Sequence, residues 1–448
     1  MLPARSSRDA EGTRPAVQPE VLRGLLTAAR LHFPDLELTA PSGVLSVAAP
    51  PGPIDQIRIE AGPAGVLRLQ SVGLVAADRS DVSRRASVEV SGAAVAGGRR
   101  GDARQLLDFD DPTGPGVQTP PDEQGWCQVT LRRPAELTRI LVRNVAARTA
   151  AQNWGLRVLA RSGGEWTVVY DHAARTAELD RFVRQLPRHR DLDPETTAVL
   201  PVLPLVVAGS YAPARQAFDA AALSPESRRI FRSVVTEDLL ASRSLEWTVH
   251  GPQRCFRFWA EQEKRDYVRF AADVAQALSG LTPHVCFGFG AALCVVRDGD
   301  LIPHDDDLDI IIGFDPDEAA NLPAGLKRVE DHLRPLGYTV SGNFSAHRHV
   351  RLGSGKHVDV FVGLFEGDTI SWYPGTRGAL DRQTMFPVSE GSLLGVPCRL
   401  PRSPLRYLEV LYGPGWRTPD PGFQHTWDRS AYADLVSRGT VPKAVSST

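Results

Sequence analysis

Residues Leu301–Ile312 read LIPHDDDLDIII and set four aspartates directly before three isoleucines. The isoleucines predict a strand buried on both faces, so the aspartates lie where a loop enters that strand. Because successive strand residues point to opposite faces, Asp307 and Asp309 are predicted to share a face, with Cα atoms about 6.6 Å apart. Two carboxylates at that spacing can bind one divalent ion or bridge two. Asp306 is predicted to point to the opposite face and to tolerate replacement by Asn best.

Asp305 matches Asp307 and Asp309 in parity but follows Pro303, and on a straight strand its Cα would lie about 13 Å from that of Asp309. It joins the site only if the chain bends there. Buried carboxylates without a counter-charge are costly, so a cation is their natural partner, and hard oxygen ligands favour Mg²⁺ or Mn²⁺. The alternative interpretation is an acidic, solvated loop without a ligand.

A third carboxylate follows downstream, in the run Gly355–Gly363, GKHVDVFVG. Asp359 stands between two valines there, as expected on a neighbouring buried strand. His357 shares its parity and is a candidate for substrate contact. His347 and His349 share a strand face and can bind a metal, but their spacing in the sequence supplies no third ligand.

The amino-acid composition limits the classes of function that the chain can have. With 448 residues, 42% of them hydrophobic, the chain can bury more than one core, and two main domains are predicted. Its 51 basic and 53 acidic residues give a formal net charge of -2, which offers no reason to bind nucleic acid. The five cysteines form no CxxC pair, so a reducing, cytoplasmic compartment is predicted rather than a disulfide framework. The N-terminal segment lacks the apolar core of a secretory signal.

Helical and β patterns alternate along the chain. Pro19–Phe33 predicts a short leading helix, Ser224–Ser242 opens with an N-cap serine followed by Pro225, and Phe258–Leu278 carries one apolar stripe. From about Leu45 to His172, short apolar runs broken by turn residues predict an antiparallel β-sandwich.

One uncharged segment, Thr196–Pro213, is shorter than a membrane span and contains Pro201 and Pro204, which are expected to break a helix. No transmembrane span is therefore predicted. The segment is expected to be buried or extended, with peripheral contact with a membrane surface as the alternative.

The segment Asn153–His172, NWGLRVLARSGGEWTVVYDH, predicts a β-hairpin with one apolar face. Together with the preceding residues it resembles the discoidin-like (coagulation factor 5/8 type C), galactose-binding-like sandwiches. These domains often bind sugars through loops at one end, so the resemblance implies glycan binding. The other interpretation is that Trp154, Trp166 and Tyr170 are core aromatics.

The run Gly290–Ile310, GAALCVVRDGDLIPHDDDLDI, resembles the signature of the LicD and fukutin-related family. In that signature a Gly-x-Leu-Leu-Gly-x-x-Arg run precedes an Ile-Pro-Trp-Asp-x-Asp-hydrophobic-Asp run. The likeness continues through HVDVF and through Phe386–Gly413, and spans roughly Phe258–Asp428. It implies the nucleotidyltransferase fold of DNA polymerase beta type. It also implies transfer of a phosphoalcohol, such as phosphocholine or phosphoribitol, from a CDP-linked donor to a glycan hydroxyl.

The resemblance also implies roles for single residues. Asp307 and Asp309 match the metal-binding pair and Asp359 the third carboxylate, with Asp305 as a nearby acidic position of the same run. These residues are expected to bind Mg²⁺ or Mn²⁺, and Asp359 also to help deprotonate the acceptor hydroxyl.

The residues that the resemblance assigns to donor binding match the family signature only in part. Arg297 matches the signature arginine and Gly290 its opening glycine, which implies contact with donor phosphate. For Arg297 the alternative is a salt bridge to one of the aspartates of the run that merely shapes the loop. His304 stands where the family has Trp, and Ala291 and Cys294 also depart from the signature. These departures keep open a scaffold that has lost activity, and the fold keeps open nucleotidyl transfer.

The predicted architecture is an α+β chain of two domains, a galactose-binding-like sandwich and a nucleotidyltransferase-fold α/β domain with a helical linker between them. The predicted boundaries are residues 1–18 for a disordered lead-in, 19–173 for the leading helix and sandwich, 174–255 for a helical or extended linker, 256–430 for the LicD-like catalytic domain, and 431–448 for a tail.

Overall fold

The computed structural model describes residues 17–92, 94–95, 103–111, 116–120, 124–146, 148–185, 192–353, 355–372, 375–420, 423, 425 and 428–436. Most of the predicted lead-in and most of the predicted tail therefore lie outside the described residues. The chain divides into two units, Met1–Gln253 and Arg254–Thr448.

One long strand organises the β-rich part of the first unit. The N-terminal half of β7 pairs with β2 and β4, and its C-terminal half pairs with β1 and β3, all antiparallel. Strands β8 and β9 extend the sheet beyond β2, and the apolar side chains of both halves share one core. The predicted β-rich region is confirmed, and its galactose-binding-like fold stays a prediction. The strands are β1 (Val44–Ala48), β2 (Pro53–Glu60), β3 (Arg68–Ala76), β4 (Ala86–Val90), β5 (Ala94–Val95), β6 (Val117–Gln118), β7 (Trp126–Asn144), β8 (Arg157–Ser162) and β9 (Glu165–Asp171).

The predicted hairpin is formed by β8 and β9, with Gly163 and Gly164 at positive φ in its turn. Tyr170 is buried, and its hydroxyl donates to the carbonyl of Asp35 at 3.3 Å. Trp166 is 39% exposed and lies under the guanidinium of Arg161. The prediction of a core aromatic is therefore confirmed for Tyr170 and wrong for Trp166, because the outer face of this edge strand is open to solvent.

Six helices of the first unit pack around a core of their own. The leading helix belongs to this core, so the segment predicted as a linker folds together with the start of the chain. Ser224 caps the sixth helix by accepting a hydrogen bond from the N–H of Ser227 at 3.2 Å. The elements are α1 (Pro19–His32), α2 (His172–Gln185), α3 (Pro194–Val199), α4 (Val202–Val207), α5 (Tyr211–Ala220), α6 (Pro225–Val235), a π-helical turn (Thr236–Leu240), and the strands β10 (Glu246–Thr248) and β11 (Gly251–Gln253).

The uncharged segment is buried, as predicted, but it is helical. Pro201 precedes α4 and Pro204 lies in its first turn, where a backbone N–H has no acceptor within the helix. The expectation that these prolines break a helix is confirmed for Pro201, which separates α3 from α4, and is wrong for Pro204 for this reason. Among the described residues, no helix combines the length and the apolar character that crossing a membrane requires.

The second unit is built on a seven-stranded sheet with the order β12-β13-β16-β15-β14, and β17 and β18 follow beside β16. Only β13 and β16 are parallel; the other pairs are antiparallel. The elements are α7 (Glu261–Leu278), β12 (Val285–Phe287), α8 (Phe289–Leu293), a π-helical turn (Cys294–Asp298), β13 (Asp309–Phe314), α9 (Leu322–Leu333), β14 (Thr339–Ser341), β15 (His347–Arg351), β16 (Val358–Glu366), β17 (Thr369–Ser371), β18 (Leu380–Asp381), α10 (Arg382–Met385), the hairpin β19 (Ser389–Leu393) and β20 (Val396–Leu400), α11 (Pro404–Tyr412) and α12 (Ala433–Val436).

The two parallel strands are the apolar runs that the sequence singled out. Every residue of β13 after Asp309 is buried, and so are the residues of β16 up to Phe365. Burial on both faces explains their continuous hydrophobicity. Because parallel strands run in the same direction, their N-terminal ends meet at one edge of the sheet. The acidic residues of both strands lie at that edge.

Candidate active site

Three neighbouring strands carry one row of polar side chains. Asp309 on β13 is the register partner of Asp359 on β16, and Asp359 is the register partner of His349 on β15. Residues directly opposite one another in a sheet project from the same face. Two carboxylates and one imidazole therefore stand side by side in an otherwise apolar sheet.

The loop before β13 is fixed by a buried tyrosine. Tyr267 on α7 accepts a hydrogen bond from the N–H of Leu308 at 3.0 Å and donates its own proton to the carbonyl of His357 at 2.6 Å. The N–H of Asp359 donates to the carbonyl of Leu308 at 3.0 Å. These bonds tie the entrances of β13 and β16 together. Asp307 lies in this tied segment, just before the strand rather than within it.

A turn brings Asp305 back toward the site. Its N–H donates to the carbonyl of Ile302 at 3.0 Å, and its Oδ1 accepts the N–H of Asp306 at 2.9 Å. This turn is the bend that Asp305 needed in order to approach the other aspartates. Gly290 makes room for it, because a Cβ at that position would lie 2.7 Å from Asp305 Oδ2. The contact gives Gly290 a packing role beside the carboxylate.

The charges of the aspartates are not neutralised by their surroundings. Burial, followed by the negative charge of Asp307, raises the pKa of Asp305 and of Asp309 well above the usual range. The same two causes raise the pKa of Asp359 to about 8. The shifts show that four carboxyl groups share a desolvated region in which ionisation of one opposes ionisation of the next.

Asp306 lies in a loop that turns before the strand begins. It is 7% exposed, and its Oδ2 lies 3.1 Å from the ammonium group of Lys356. That Asp306 tolerates replacement by Asn best stays a prediction. Lys356 also lowers the pKa of Asp359, against the larger effect of burial, so it brings positive charge to the site. It was missed although it stands in the quoted run GKHVDVFVG.

Three histidines surround Asp359. The Nε2 atoms of His347 and His349 lie 3.6 Å from its carboxylate oxygens, and that of His357 lies 3.5 Å away. Burial lowers the pKa of His347 to about 3 and that of His357 to about 4, and it lowers the pKa of His349 as well. The imidazoles are therefore neutral at pH 7. Asp359 Oδ1 is buried and has no hydrogen-bond partner.

Arg297 is engaged away from the aspartate run. Its Nε and Nη2 bind the two oxygens of Asp298 at 3.0 and 2.9 Å, and its Nη1 donates to the carbonyl of Trp416 at 3.1 Å. This favours the interpretation of Arg297 as a residue that shapes the loop. His304 is half-buried on the same side, where burial and then the charge of Arg297 lower its pKa.

An aromatic cavity of about 270 Å³ is lined by Tyr412. Burial, then the negative charges of Asp309 and Asp305, raises the pKa of Tyr412, so these carboxylates act electrostatically on the cavity wall. Phe289 is edge-on to Phe361 and to His425, which also lines the cavity. The cavity can therefore accept a planar or apolar group. The other aromatic side chains of the cavity wall are Trp372, Phe423 and His425.

The residues present fit a divalent cation. Asp359 offers an unpartnered buried oxygen, and burial together with neighbouring negative charge opposes ionisation of Asp305 and Asp309 more strongly than Lys356 favours that of Asp305. A bound cation would coordinate the unpartnered oxygen and would offset the free-energy cost of ionising the buried carboxyl groups. One group of ligand atoms that lie within 4.8 Å of one another comes from His347, His349 and Asp359.

Comparison with known proteins places the candidate site within a matched family domain. Residues 284–403 match the family model described as LicD/FKTN/FKRP, nucleotidyltransferase domain. The match contains the aspartate run, Asp359 and the three histidines, and it supports the resemblance drawn from the sequence. It stops short of α7 and α11, which the resemblance had included. No curated protein matches the chain.

Replacing Tyr267 by Phe should loosen the site without changing its charge. The substitution leaves the N–H of Leu308 and the carbonyl of His357 without their partner, and we expect the free energy of unfolding to fall by about 1–3 kcal/mol. Urea denaturation measures this. The matched control is Tyr338→Phe, a half-buried tyrosine of the same unit outside the site, which should cost less than about 0.5 kcal/mol. Equal losses in both variants would contradict the role of Tyr267.

Metal-free protein should lose stability as the pH rises from 6.5 to 8. A carboxyl group with a raised pKa in the folded state binds its proton more tightly there than in the unfolded chain, so its contribution is lost as the pH rises toward the folded value. The histidines act oppositely, but only below their unfolded pKa of about 6.5. We expect a slope of up to about 1.4 kcal/mol per pH unit for each carboxyl group involved.

Urea denaturation at the two pH values, after chelation of metal, checks this expectation. Asp359→Asn should flatten the dependence, since the amide does not ionise. Parallel pH profiles for the wild-type protein and this variant would show that Asp359 ionises normally.

Proposed function

Starting from the LicD/FKTN/FKRP domain at residues 284–403, we propose that this protein is a metal-dependent phosphotransferase. It transfers a phosphoalcohol, such as phosphocholine or phosphoribitol, from a CDP-linked donor to a hydroxyl group of a glycan. The observation that carries the proposal is the register of Asp309 with Asp359, with Asp307 beside them, in a region where burial and mutual repulsion raise the pKa values of Asp309 and Asp359.

Asp307, Asp309 and Asp359 would hold Mg²⁺ or Mn²⁺, with Asp305 close by. When bound, the ion supplies the positive charge that a diphosphate donor needs at its transferred and leaving oxygens. The chain itself orients these ligands through Tyr267, which fixes the loop between two strands. The predicted role of Asp359 in deprotonating the acceptor requires a hydroxyl within hydrogen-bond reach of its free Oδ1.

Binding of the donor would use the groups around the acidic row. Lys356 brings a positive charge to the same edge of the sheet, and the aromatic cavity beside Tyr412 can hold a planar ring. The contacts of Arg297 with Asp298 support a positioning role for it rather than direct phosphate binding. We therefore propose that the nucleotide is recognised mainly by stacking in the aromatic cavity and less by Arg297.

The proposals for the acceptor and for the cellular location rest mainly on the sequence. The β-rich first unit is offered as a glycan-binding module on its discoidin-like resemblance. All five cysteines are free and buried, which suits the reducing cytoplasm in which CDP-linked donors would be met. The acceptor would be a glycan destined for a cell-surface polysaccharide or glycoconjugate.

The activity test is to incubate the protein with Mg²⁺ and a panel of CDP-alcohols and nucleotide sugars, and to measure released CMP and pyrophosphate. We expect CMP from a CDP-alcohol. Asp309→Asn should lower kcat/KM by about 1000-fold or more, the effect of losing several kcal/mol of transition-state stabilisation.

The neighbouring substitution Asp306→Asn provides the matched control, since its amide keeps an acceptor for Lys356 and should retain far more activity. An inactive Asp306→Asn beside an active Asp309→Asn would contradict the assigned register. Release of pyrophosphate would instead identify a nucleotidyltransferase, which the same domain allows. Failure to bind Mg²⁺ or any nucleotide would favour a carbohydrate-binding scaffold.

A further inference from the structure

Two histidines of β15 and one aspartate of β16 converge on a single point. His349 lies directly opposite Asp359, and His347 lies two residues away on the same face. The Nε2 atoms of the two histidines each stand 3.6 Å from a different oxygen of Asp359. One ligand atom from each of the three residues lies within 4.8 Å of the other two. The third ligand that the sequence spacing did not supply comes from the neighbouring strand.

These separations are too long for the hydrogen bonds that the groups would otherwise form. An N–H···O hydrogen bond spans about 2.7–3.2 Å. Asp359 Oδ1 is buried without a hydrogen-bond partner, and Asp359 and His347 are both only 8% exposed. Buried polar atoms without partners destabilise a fold unless something else satisfies them. The arrangement therefore lacks an explanation in hydrogen bonding.

The same separations suit coordination of a metal ion. Zinc binds histidine nitrogen at about 2.0–2.1 Å and carboxylate oxygen at about 2.0–2.2 Å, so two ligand atoms at a tetrahedral centre lie about 3.4 Å apart. Each imidazole nitrogen stands 3.6 Å from one oxygen of Asp359, close to that value, and the two nitrogens face different oxygens of the carboxylate. If the carboxylate binds through one oxygen, a tetrahedral ion keeps one position open to a further ligand.

The two imidazoles are held in place by stacking. The ring of His347 lies between Phe344 and Phe361, with centroid separations of 4.2 and 4.6 Å. The ring of His349 is stacked on that of His357 at 4.2 Å. His357 also approaches Asp359, at 3.5 Å, but it is not part of the group of ligand atoms that lie within 4.8 Å of one another, so we assign it the role of supporting His349. Packing of this kind preorganises metal ligands.

We propose that His347, His349 and Asp359 form a binding site for a divalent transition-metal ion such as Zn²⁺. Imidazole nitrogen selects transition metals over Mg²⁺, so this site differs in chemistry from the oxygen ligands of Asp307 and Asp309. The register of Asp359 with Asp309 sets the two sites side by side. With this ion bound, Asp359 is one of its ligands, so the roles proposed above for Asp359 in holding Mg²⁺ and in deprotonating the acceptor apply to the protein without this ion. The inference goes beyond the proposed reaction and does not depend on the identity of its substrates.

The test uses Co²⁺ as a coloured probe of the metal-stripped full-length protein, in a large excess of Mg²⁺. We expect one Co²⁺ to bind per chain, with the intense visible absorption of a tetrahedral site, and Zn²⁺ to displace it. His349→Gln should weaken Co²⁺ binding by about 100-fold or more, at least the cost of losing an outer-shell partner. Asp307→Asn should bind Co²⁺ like the wild-type protein. His332→Gln is the matched control, because His332 contacts the carbonyl of Ala277 outside the cluster.

Three results would overturn the inference: no Co²⁺ binding in excess Mg²⁺, a spectrum without tetrahedral character, or unchanged binding in His349→Gln. If His349→Gln does not fold, X-ray absorption of the Zn²⁺-loaded wild-type protein decides, with two imidazoles expected and none contradicting the site. CMP release and Co²⁺ binding are measured separately. A protein that binds Co²⁺ as expected but releases no CMP would refute the proposed function and leave this inference standing.

Discussion

The parallel register of β13 and β16 is the constraint on which the candidate site depends. It sets Asp309 and Asp359 next to each other at the edge of a sheet whose strands are otherwise apolar. Two desolvated carboxylates repel each other, so they stay together only because the strands that carry them are fixed by the core. Burial of the isoleucines and valines supplies the stability that holds these strands in place. A cation would neutralise the negative charge of the two carboxylates.

Residues around the carboxylates hold them in position. Tyr267 links the two strand entrances with one hydroxyl group, and Gly290 leaves space for the carboxylate of Asp305. Lys356 pairs with Asp306, the aspartate that stands apart from the row. Each support comes from a different element, so the site depends on the whole fold of the second unit.

Local patterns predicted the elements that local forces specify. The capped start of α6 and the hairpin of β8 and β9 were found because side-chain capping and turn chemistry act within a few residues. Predictions failed where distant packing decides. Pro204 fits the first turn of a buried helix, and Trp166 faces solvent although its strand alternates.

The sequence alone determined which chemistry is available: a run of aspartates before an isoleucine strand, and a further aspartate in a second apolar run. Periodicity is enough for this, since a buried strand needs continuous apolar residues. Only the tertiary structure decided the partners, with His349 beside Asp359, Lys356 on Asp306 and Arg297 on Asp298. The first two depend on strand register and loop path, which contacts distant in sequence fix. The third joins sequence neighbours in the π-helical turn, and a hydrogen bond from Arg297 to the distant carbonyl of Trp416 accompanies it.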